Sequence, residues 1–135
     1  MNKPEHCMFC TDEESIQHLF FDCIVAKNVW RVVSGFFNTP LGSDYTSVAR
    51  FWIANKKHAV LNSVCASVLW SLWKIRNNMV FNGHPWIDIK QVWRMILCSL
   101  KRWKLIFKEN MLPKMEEMCS FISTLLQEPL QLENG

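Results

Sequence analysis

Glycine, proline and tyrosine are scarce in this chain of 135 residues, which contains 4, 5 and 1 of them. The sequence has no glycine-rich loop that could cradle a phosphate, no convincing strand pattern and no internal repeat. The Tyr-x-Asp-Asp motif of a polymerase metal site is also absent. Asp44 and Asp88 are the only carboxylates between residues 23 and 108, too few for an RNase H-like two-metal site. We therefore expect no enzymatic activity and no small-molecule substrate.

Long apolar segments are missing as well. The longest uncharged run, residues 59–73, contains Asn and Ser and is shorter than the ~20 apolar residues of a membrane span. The N-terminus is polar and charged, unlike a signal peptide. Cys65, Cys98 and Cys119 are isolated within apolar helical patterns, where an unpaired cysteine behaves as a small buried hydrophobe. These features predict no membrane partner and a reducing compartment, either nucleus or cytoplasm.

The abundant residues are hydrophobic: they make up 50% of the chain and include seven tryptophans, which argues against disorder. Their spacing predicts an all-α protein, with a short CCHC zinc module followed by a bundle of about five helices. We expect the zinc-binding module and the first helices within residues 1–37, a helical bundle over residues 38–127 and a flexible tail over residues 128–135.

Start and stop signals set the expected helix boundaries. Thr11-Asp12-Glu13-Glu14 is a capping box, so a first helix is predicted to begin there and to stop near Phe21. Asn82-Gly83 and Pro85 are predicted to end the central helix. The other helices are expected over residues 24–37, from Ser43 or Asp44 to about 55, over 58–81, over 86–111 and over 113–127.

A cluster of soft ligands lies at the start of the chain: Cys7, Cys10, His18 and Cys23. Three thiols and one imidazole match a four-coordinate zinc site, and four protein ligands leave no open position, so the zinc would be structural. We expect the four ligand atoms to converge within about 4 Å. His6 is left out because adjacent residues rarely reach one ion. The alternative is that these are ordinary buried cysteines and a hydrogen-bonded histidine.

Positive charge is concentrated in the middle of the chain. Residues 23–108 carry thirteen Lys and Arg against two Asp, a net charge of +11, whereas both ends are acidic. A basic face on the 86–111 helix is either a solvated surface or a phosphate-binding surface. At 73–77, Trp-Lys-Ile-Arg-Asn could be a base-stacking patch, but a core tryptophan is favoured. The candidate nucleic-acid-binding residues are Lys90, Arg94, Lys101, Lys104, Lys108, Lys74 and Arg76.

Two segments carry a resemblance to a known family. Residues 13–23, EESIQHLFFDC, with the Ala26 and Val29-Trp30 that follow, resemble the zinc-binding domain associated with reverse transcriptase in plant non-LTR (LINE-like) retrotransposons. Residues 69–81, LWSLWKIRNNMVF, are similar to the W-K-x-R-N-x-x-V-F segment that these elements carry between the zinc motif and their RNase H region. The resemblance covers about residues 5–110.

The chain also departs from that family pattern. Ile24 stands where a proline usually follows the last cysteine, and the Trp-rich segment that precedes the first ligand is missing. The resemblance therefore implies a truncated or domesticated piece of a retroelement. Together with the charge, it predicts non-catalytic binding of nucleic acid, RNA or a template–primer, through the basic helical face. The choice between RNA and DNA stays open. The alternative is a domesticated protein-interaction or regulatory factor in which zinc has only a structural role.

Overall fold

The computed structural model describes residues 6–10, 12–52 and 58–128 of the chain. Within these residues the protein is all-α, as predicted, with a Cys/His cluster near the N-terminus. An isolated antiparallel bridge between His6 and Glu13 is followed by a turn of π-helix, His18–Asp22. The α-helices are α1 (Ile24–Phe37), α2 (Tyr45–Ala49), α3 (Ala59–Asn82), α4 (Lys90–Trp103) and α5 (Leu112–Gln127).

Two helices end at their stop signals in the sequence. α1 ends before Asn38, which adopts left-handed backbone with a φ of 51°, a conformation that asparagine tolerates better than most residues. α3 ends before Gly83, whose φ is 67°, and the His84 N–H then donates to the Asn78 carbonyl at 3.1 Å. The predicted boundaries of both helices are confirmed to within one residue.

The N-terminal capping box does not start a helix. Thr11 lies outside the described residues, and Glu13 pairs with His6 across the isolated bridge. Helical backbone begins only after Ser15, whose hydroxyl accepts a hydrogen bond from the His18 N–H at 3.0 Å. The predicted start was therefore about four residues early, because Asp12 and Glu13 pair with Cys7 and His6 through the backbone and so close the loop around the first two cysteines.

α2 is shorter than its predicted extent. Asp44 caps it by accepting a hydrogen bond from the Ser47 N–H at 2.9 Å, which confirms one of the two predicted caps. Beyond Ala49 the backbone tightens, since the Trp52 N–H donates to a carbonyl three residues back at 3.0 Å. Trp52, at the end of this turn, is 47% exposed. The predicted end at Asn55 lies outside the described residues.

The single helix predicted over residues 86–111 is wrong at both ends. Asp88 and Gln91 form a capping box that delays the start of α4: the Asp88 carboxylate accepts the first N–H of α4 at 2.9 Å, and the Gln91 side chain accepts the Asp88 N–H at 3.2 Å. After α4 come two 3-10 turns, Lys104–Ile106 and Glu109–Met111. No glycine or proline marks this break, which exists because α5 must fold back onto α4.

α3 is the central helix, packed against α4, α1 and the π-helical turn, while α5 covers α4. Fully buried residues line the facing sides of these helices: Val64, Val68 and Leu72 on α3, Val92, Ile96 and Leu100 on α4, and Met115, Met118 and Ile122 on α5. Cys7 and Cys23 belong to the same buried cluster. The segment with the four candidate ligands and the helices therefore share one core, and the division of the chain after residue 37 stays a prediction.

None of the helices described here combines the length and the apolar character needed to cross a membrane.

Candidate metal centre and candidate nucleic-acid interface

A tight turn brings Cys7 and Cys10 together. The Cys7 N–H donates to the Asp12 carbonyl at 2.8 Å, and this hydrogen bond closes a loop that contains Cys10. Inside that loop the Phe9 N–H points back at the Cys7 sulfur, 3.4 Å away. Backbone N–H groups directed at a thiolate stabilise its negative charge, so this turn suits a metal-bound sulfur. Two residues between the cysteines are therefore enough for a turn that brings both sulfurs to one site.

A wide helical turn presents His18 and Cys23 to the same point. The Cys23 N–H donates to the His18 carbonyl, five residues back, at 2.7 Å, and Cys23 itself is extended, with φ −60° and ψ 143°. On a regular α-helix, side chains five residues apart point about 140° away from each other. The helical turn ends at Asp22, one residue beyond the predicted stop at Phe21. The π-turn and the extended residue together place both ligands on one side.

The four ligand atoms converge as a tetrahedral site requires. The Cys23 sulfur lies 3.7 Å from the Cys7 sulfur and 3.8 Å from the Cys10 sulfur, and the Cys10 sulfur lies 3.2 Å from His18 Nε2. Two sulfurs bound at ~2.3 Å to one tetrahedral ion would be about 3.8 Å apart. All four atoms lie within 4.8 Å of one another, slightly wider than the 4 Å expected. These residues could hold a metal ion.

Burial holds two of the thiols in their protonated form. It raises the pKa of Cys23 to about 12, and the neighbouring Cys7 and Cys10 groups add to this increase. Burial also raises the pKa of Cys7, although the N–H groups of Phe9 and Cys10 oppose the shift. At neutral pH a metal ion must therefore displace protons from both sulfurs in order to bind.

A buried ion pair and an aromatic pair are among the contacts that join the candidate metal-binding segment to distant parts of the chain. The Arg76 guanidinium donates from Nε and Nη2 to Glu14 Oε1, at 3.0 and 2.7 Å, and both side chains are buried. The ring of Phe9 meets the ring of Trp86 edge-on, with centroids 4.7 Å apart. Glu14 and Arg76 are 62 residues apart in the sequence. They belong to the two segments that carry the family resemblance, so those segments meet in space.

The assignment of Arg76 to a nucleic-acid surface is wrong. Only 6% of the residue is exposed. Its guanidinium donates to the Glu14 carboxylate and, from Nη1, to the side-chain oxygen of Asn77 at 2.8 Å. A phosphate could reach it only by breaking a buried ion pair. Trp73 lies beside it, with the guanidinium carbon 5.6 Å from the ring centroid, and is half-exposed rather than in the core as favoured from the sequence.

The predicted basic face is divided between two surfaces. Lys108 lies beyond α4 in extended backbone, because the helix ends at Trp103. Leu97 lies on the same side of the helix as the predicted basic residues. It is nevertheless buried, since α5 packs over this side of α4. Lys101 and Lys104 lie near the contact between α4 and α5. Burial raises the pKa of Cys119 on α5, and the positive charges of these two lysines oppose that increase. Lys104 and Lys90 are half-buried, whereas Lys101, Arg94 and Lys108 are exposed.

A groove between α3 and α4 collects the other cations. It has a volume of about 640 Å³, and Lys74 of α3 and Arg94 and Arg102 of α4 line it. Trp70 lines the same groove and is 48% exposed. No acidic side chain is among the described residues that line it, and the ion pairs found in the described part of the chain do not involve these cations. We call this surface the cationic groove.

Arg102 and Trp70 were not among the binding residues predicted from the sequence. A signal for both was present: Trp70, Lys74 and Asn78 follow one another at intervals of four on α3, and Arg94, Cys98 and Arg102 do the same on α4. Residues four apart share a helix face, so each triplet forms a line along its helix. Cys98 was expected to be buried but is exposed in this groove, whereas Cys65 and Cys119 are buried and unpaired as predicted.

No family model matches the chain, and neither a curated protein nor a solved structure is similar to it. The candidate site is therefore defined by its own geometry. That geometry comprises four convergent metal-ligand atoms and a separate groove with cations and one exposed tryptophan.

Proposed function

We propose that this chain is a non-catalytic, zinc-stabilised helical module that binds nucleic acid through its cationic groove. The observation that carries this proposal is the convergence of Lys74, Arg94 and Arg102 on one open groove free of acidic lining residues. Phosphates are the polyanion that such a surface suits, since each cation can replace a condensed counterion. The net charge of +11 over residues 23–108 adds a long-range attraction of the same sign.

Zinc is the metal that the ligand set favours. Thiolates and imidazole are soft and borderline ligands, and a tetrahedral arrangement of three sulfurs and one nitrogen is typical of structural zinc. Four protein ligands leave no position for a reacting water, so the metal stabilises the fold and supplies no chemistry. The metal would hold residues 7–23 in a conformation that packs against α3, and the buried Glu14–Arg76 ion pair stabilises the same contact.

The retroelement origin is part of the same proposal. The E-E-S-I-Q-H-L-F-F-D-C segment supplies Glu14, His18 and Cys23, and the W-K-I-R-N segment supplies Arg76. The buried ion pair gives a physical reason for the two segments to occur together in one chain. That contact supports a relationship to the zinc-binding domain of plant non-LTR retrotransposons, in which both segments recur.

A salt-dependent titration tests the proposed function. Fluorescence anisotropy with labelled single-stranded RNA, single-stranded DNA and duplex should show binding that weakens between about 50 and 200 mM salt. Three phosphate contacts predict a log–log slope of about −2 on a single strand, at roughly −0.7 per phosphate. The triple variant Lys74→Glu, Arg94→Glu, Arg102→Glu should lose roughly tenfold or more in affinity and most of this slope.

A variant with the same change of charge elsewhere is the control. Lys27, Arg31 and Arg50 are exposed and lie outside the groove lining, so replacing all three by Glu should retain most of the binding. Equal losses in the two triple variants would mean that net charge alone attracts the polyanion. Absence of binding to all three nucleic acids at low salt would overturn the proposed function.

A protein-interaction factor is the second candidate, and one observation favours it. Leu105 and Ile106, in the turn after α4, are 88% and 82% exposed. Adjacent apolar side chains this exposed are typical of contact surfaces rather than of a solvated turn. The protein-interaction function would replace the nucleic-acid-binding function if neither RNA nor DNA binds.

A further inference from the structure

We propose that the cationic groove takes a single strand of nucleic acid, with one unpaired base stacked on Trp70 and the neighbouring phosphates on Lys74, Arg94 and Arg102. This inference rests on the proposed function and makes it more specific, because it names the strandedness of the ligand and the residue that distinguishes it. The chemistry required of the ligand is a flat aromatic base beside backbone phosphates.

Trp70 is placed to receive a base. It stands in line with Lys74 and Asn78 on α3, so its ring borders the groove, and about half of the residue is exposed. Among the described residues, the aromatic and cation–π contacts do not include Trp70. A tryptophan that packs against nothing aromatic or cationic leaves a π-face available, which is what base stacking needs.

The opposite wall supplies cations rather than further aromatic rings. Arg94 and Arg102 are eight residues apart on α4, about 12 Å along the helix axis, with Cys98 between them. Both are exposed, and Lys74 faces them from α3. The apolar floor between the walls includes Ile75, Met79 and Met95. A strand running along the groove would therefore have cations on both sides and an apolar surface under its bases.

A duplex fits this arrangement less well. Within a duplex both faces of each base are covered by its neighbours, so Trp70 could stack only on a base that is unpaired or splayed out. The groove volume of about 640 Å³ falls within the roughly 300–1,000 Å³ of clefts that enclose a small ligand. A cleft of this size accommodates a few nucleotides of a flexible strand but is too small to enclose a double helix.

Little sequence preference is expected. The Gln91 side chain could in principle read a base edge, but its oxygen accepts the Asp88 N–H at 3.2 Å and its nitrogen donates to the Pro85 carbonyl at 3.3 Å. The Asn78 side-chain oxygen accepts a hydrogen bond from Asn82 at 3.2 Å. These groups are engaged within the protein. With the Gln91 side chain and the Asn78 oxygen engaged, binding should depend mainly on stacking on Trp70 and contacts to phosphate, and both tolerate any base.

The test compares two equally exposed tryptophans. Trp70→Ala should weaken binding of a single-stranded oligonucleotide by roughly 5- to 150-fold, the range of one lost base–aromatic stack, and Trp70→Phe should weaken it less. The salt slope of Trp70→Ala should match that of the unchanged protein, because a stacked base releases no counterion. The control, Trp52→Ala, removes a ring of similar exposure outside the groove and should stay within about twofold.

Cys98 provides an independent readout because it is exposed inside the groove. Its rate of alkylation by iodoacetamide, followed by peptide mass spectrometry, should fall much more when a single strand is added than when duplex of the same length is added. A mononucleotide added at the same base concentration should protect it much less, which would distinguish a strand from a free nucleotide.

Several results would overturn the inference while leaving the proposed function in place: duplex binding as tight as single-strand binding with equal protection of Cys98, or Trp70→Ala binding like the unchanged protein. Protection by a mononucleotide alone would assign the groove to a small nucleotide. Protection of Cys98 by an acidic peptide but not by RNA or DNA would assign it to a protein, and in that case both proposals fail. Circular dichroism and metal content should confirm that each variant is folded.

Discussion

The guanidinium of Arg76 is buried against Glu14, so neither charge can be removed alone without leaving the other uncompensated in the core. The sequence identified Arg76 as one of several cations in a basic region. It could not reveal the partner, because Glu14 is 62 residues away and the pairing exists only in the folded chain. The metal ligands were predictable for the opposite reason: their identity and short spacing define a site with little help from the rest of the fold.

Replacing Arg76 should therefore destabilise the protein strongly. Arg76→Ala leaves a buried carboxylate unpaired, and breaking a buried pair in this way costs about 3–5 kcal/mol. Urea unfolding of the metal-loaded protein measures the loss. The control, Lys74→Ala, changes an exposed cation two residues away and should alter the free energy of unfolding by less than ~0.5 kcal/mol.

A second variant separates the ion pair from simple packing. Replacing both Glu14 and Arg76 by Leu removes both charges, so it should recover a large part of the stability lost in Arg76→Ala. The interpretation fails if Arg76→Ala is no less stable than Lys74→Ala, or if the double variant is less stable than the single one.

At the level of elements, the structure depends on where the chain stops a helix. The extents of α1 and α3 were predictable because Asn38 and Gly83 accept left-handed backbone and mark the ends in the sequence. The end of α4 was not, since residues 104–111 contain neither glycine nor proline and the break is imposed by the packing of α5. Tertiary contacts override helix propensity here, and the same packing divides the lysines that looked like one face.

The loop before α2 contains a glycine that no other residue can replace without strain. Gly42 has a φ of +92°, and a Cβ built on it would lie 2.1 Å from Cγ of Trp30. The indole is fixed in turn: its Nε1 donates to the Phe20 carbonyl at 2.7 Å, and its ring stacks on Phe21 at a centroid distance of 5.9 Å. The loop, α1 and the π-turn beside the metal ligands therefore meet at one tryptophan.

Two glycine substitutions should have effects of opposite sign. Gly42→Ala should destabilise the protein by at least about 1–2 kcal/mol from left-handed backbone alone, with the overlap on Trp30 adding to it. Gly35→Ala, within α1 and with no atom within 4 Å of the new Cβ, should stabilise by about 0.5–1 kcal/mol. Chemical denaturation of both variants gives the two values. Equal effects would contradict both the left-handed backbone at Gly42 and its close approach to Trp30.

Considered as a whole, the molecule joins its metal site and its helices in one buried cluster that includes Cys7 and Cys23. In residues 6–10 and 12–23, the described part of the chain before α1, there is a single bridge and one helical turn, too little regular structure to be stable alone. The sequence predicted the ligands but not this shared core, because the contacts of Glu14 with Arg76 and of Phe9 with Trp86 join distant parts of the chain. Loss of the metal should therefore affect the helices as well.

Metal removal is the test at this scale. We expect one zinc per chain by elemental analysis, and chelation should lower the melting temperature, because metal-binding free energy contributes to folding. Cys23→Ser should lose the metal and show a similar decrease in melting temperature. Cys98→Ser is the matched control: it removes an exposed thiol outside the cluster and should retain one metal and the original stability.

The same metal should bind less tightly as the pH is lowered. Burial raises the pKa of Cys23 to about 12 and raises that of Cys7, so both carry protons at neutral pH and must release them to the solvent when the ion binds. Competition by protons therefore grows with acidity, and zinc affinity measured with a competing chelator should fall steadily from mildly alkaline to mildly acidic pH. A pH-independent affinity, or a Cys23→Ser variant that retains a full equivalent of zinc, would show that these thiols are not the ligands. In that case the four side chains would be ordinary buried cysteines and a hydrogen-bonded histidine, and the N-terminal segment would depend on the Glu14–Arg76 and Phe9–Trp86 contacts for its place against α3.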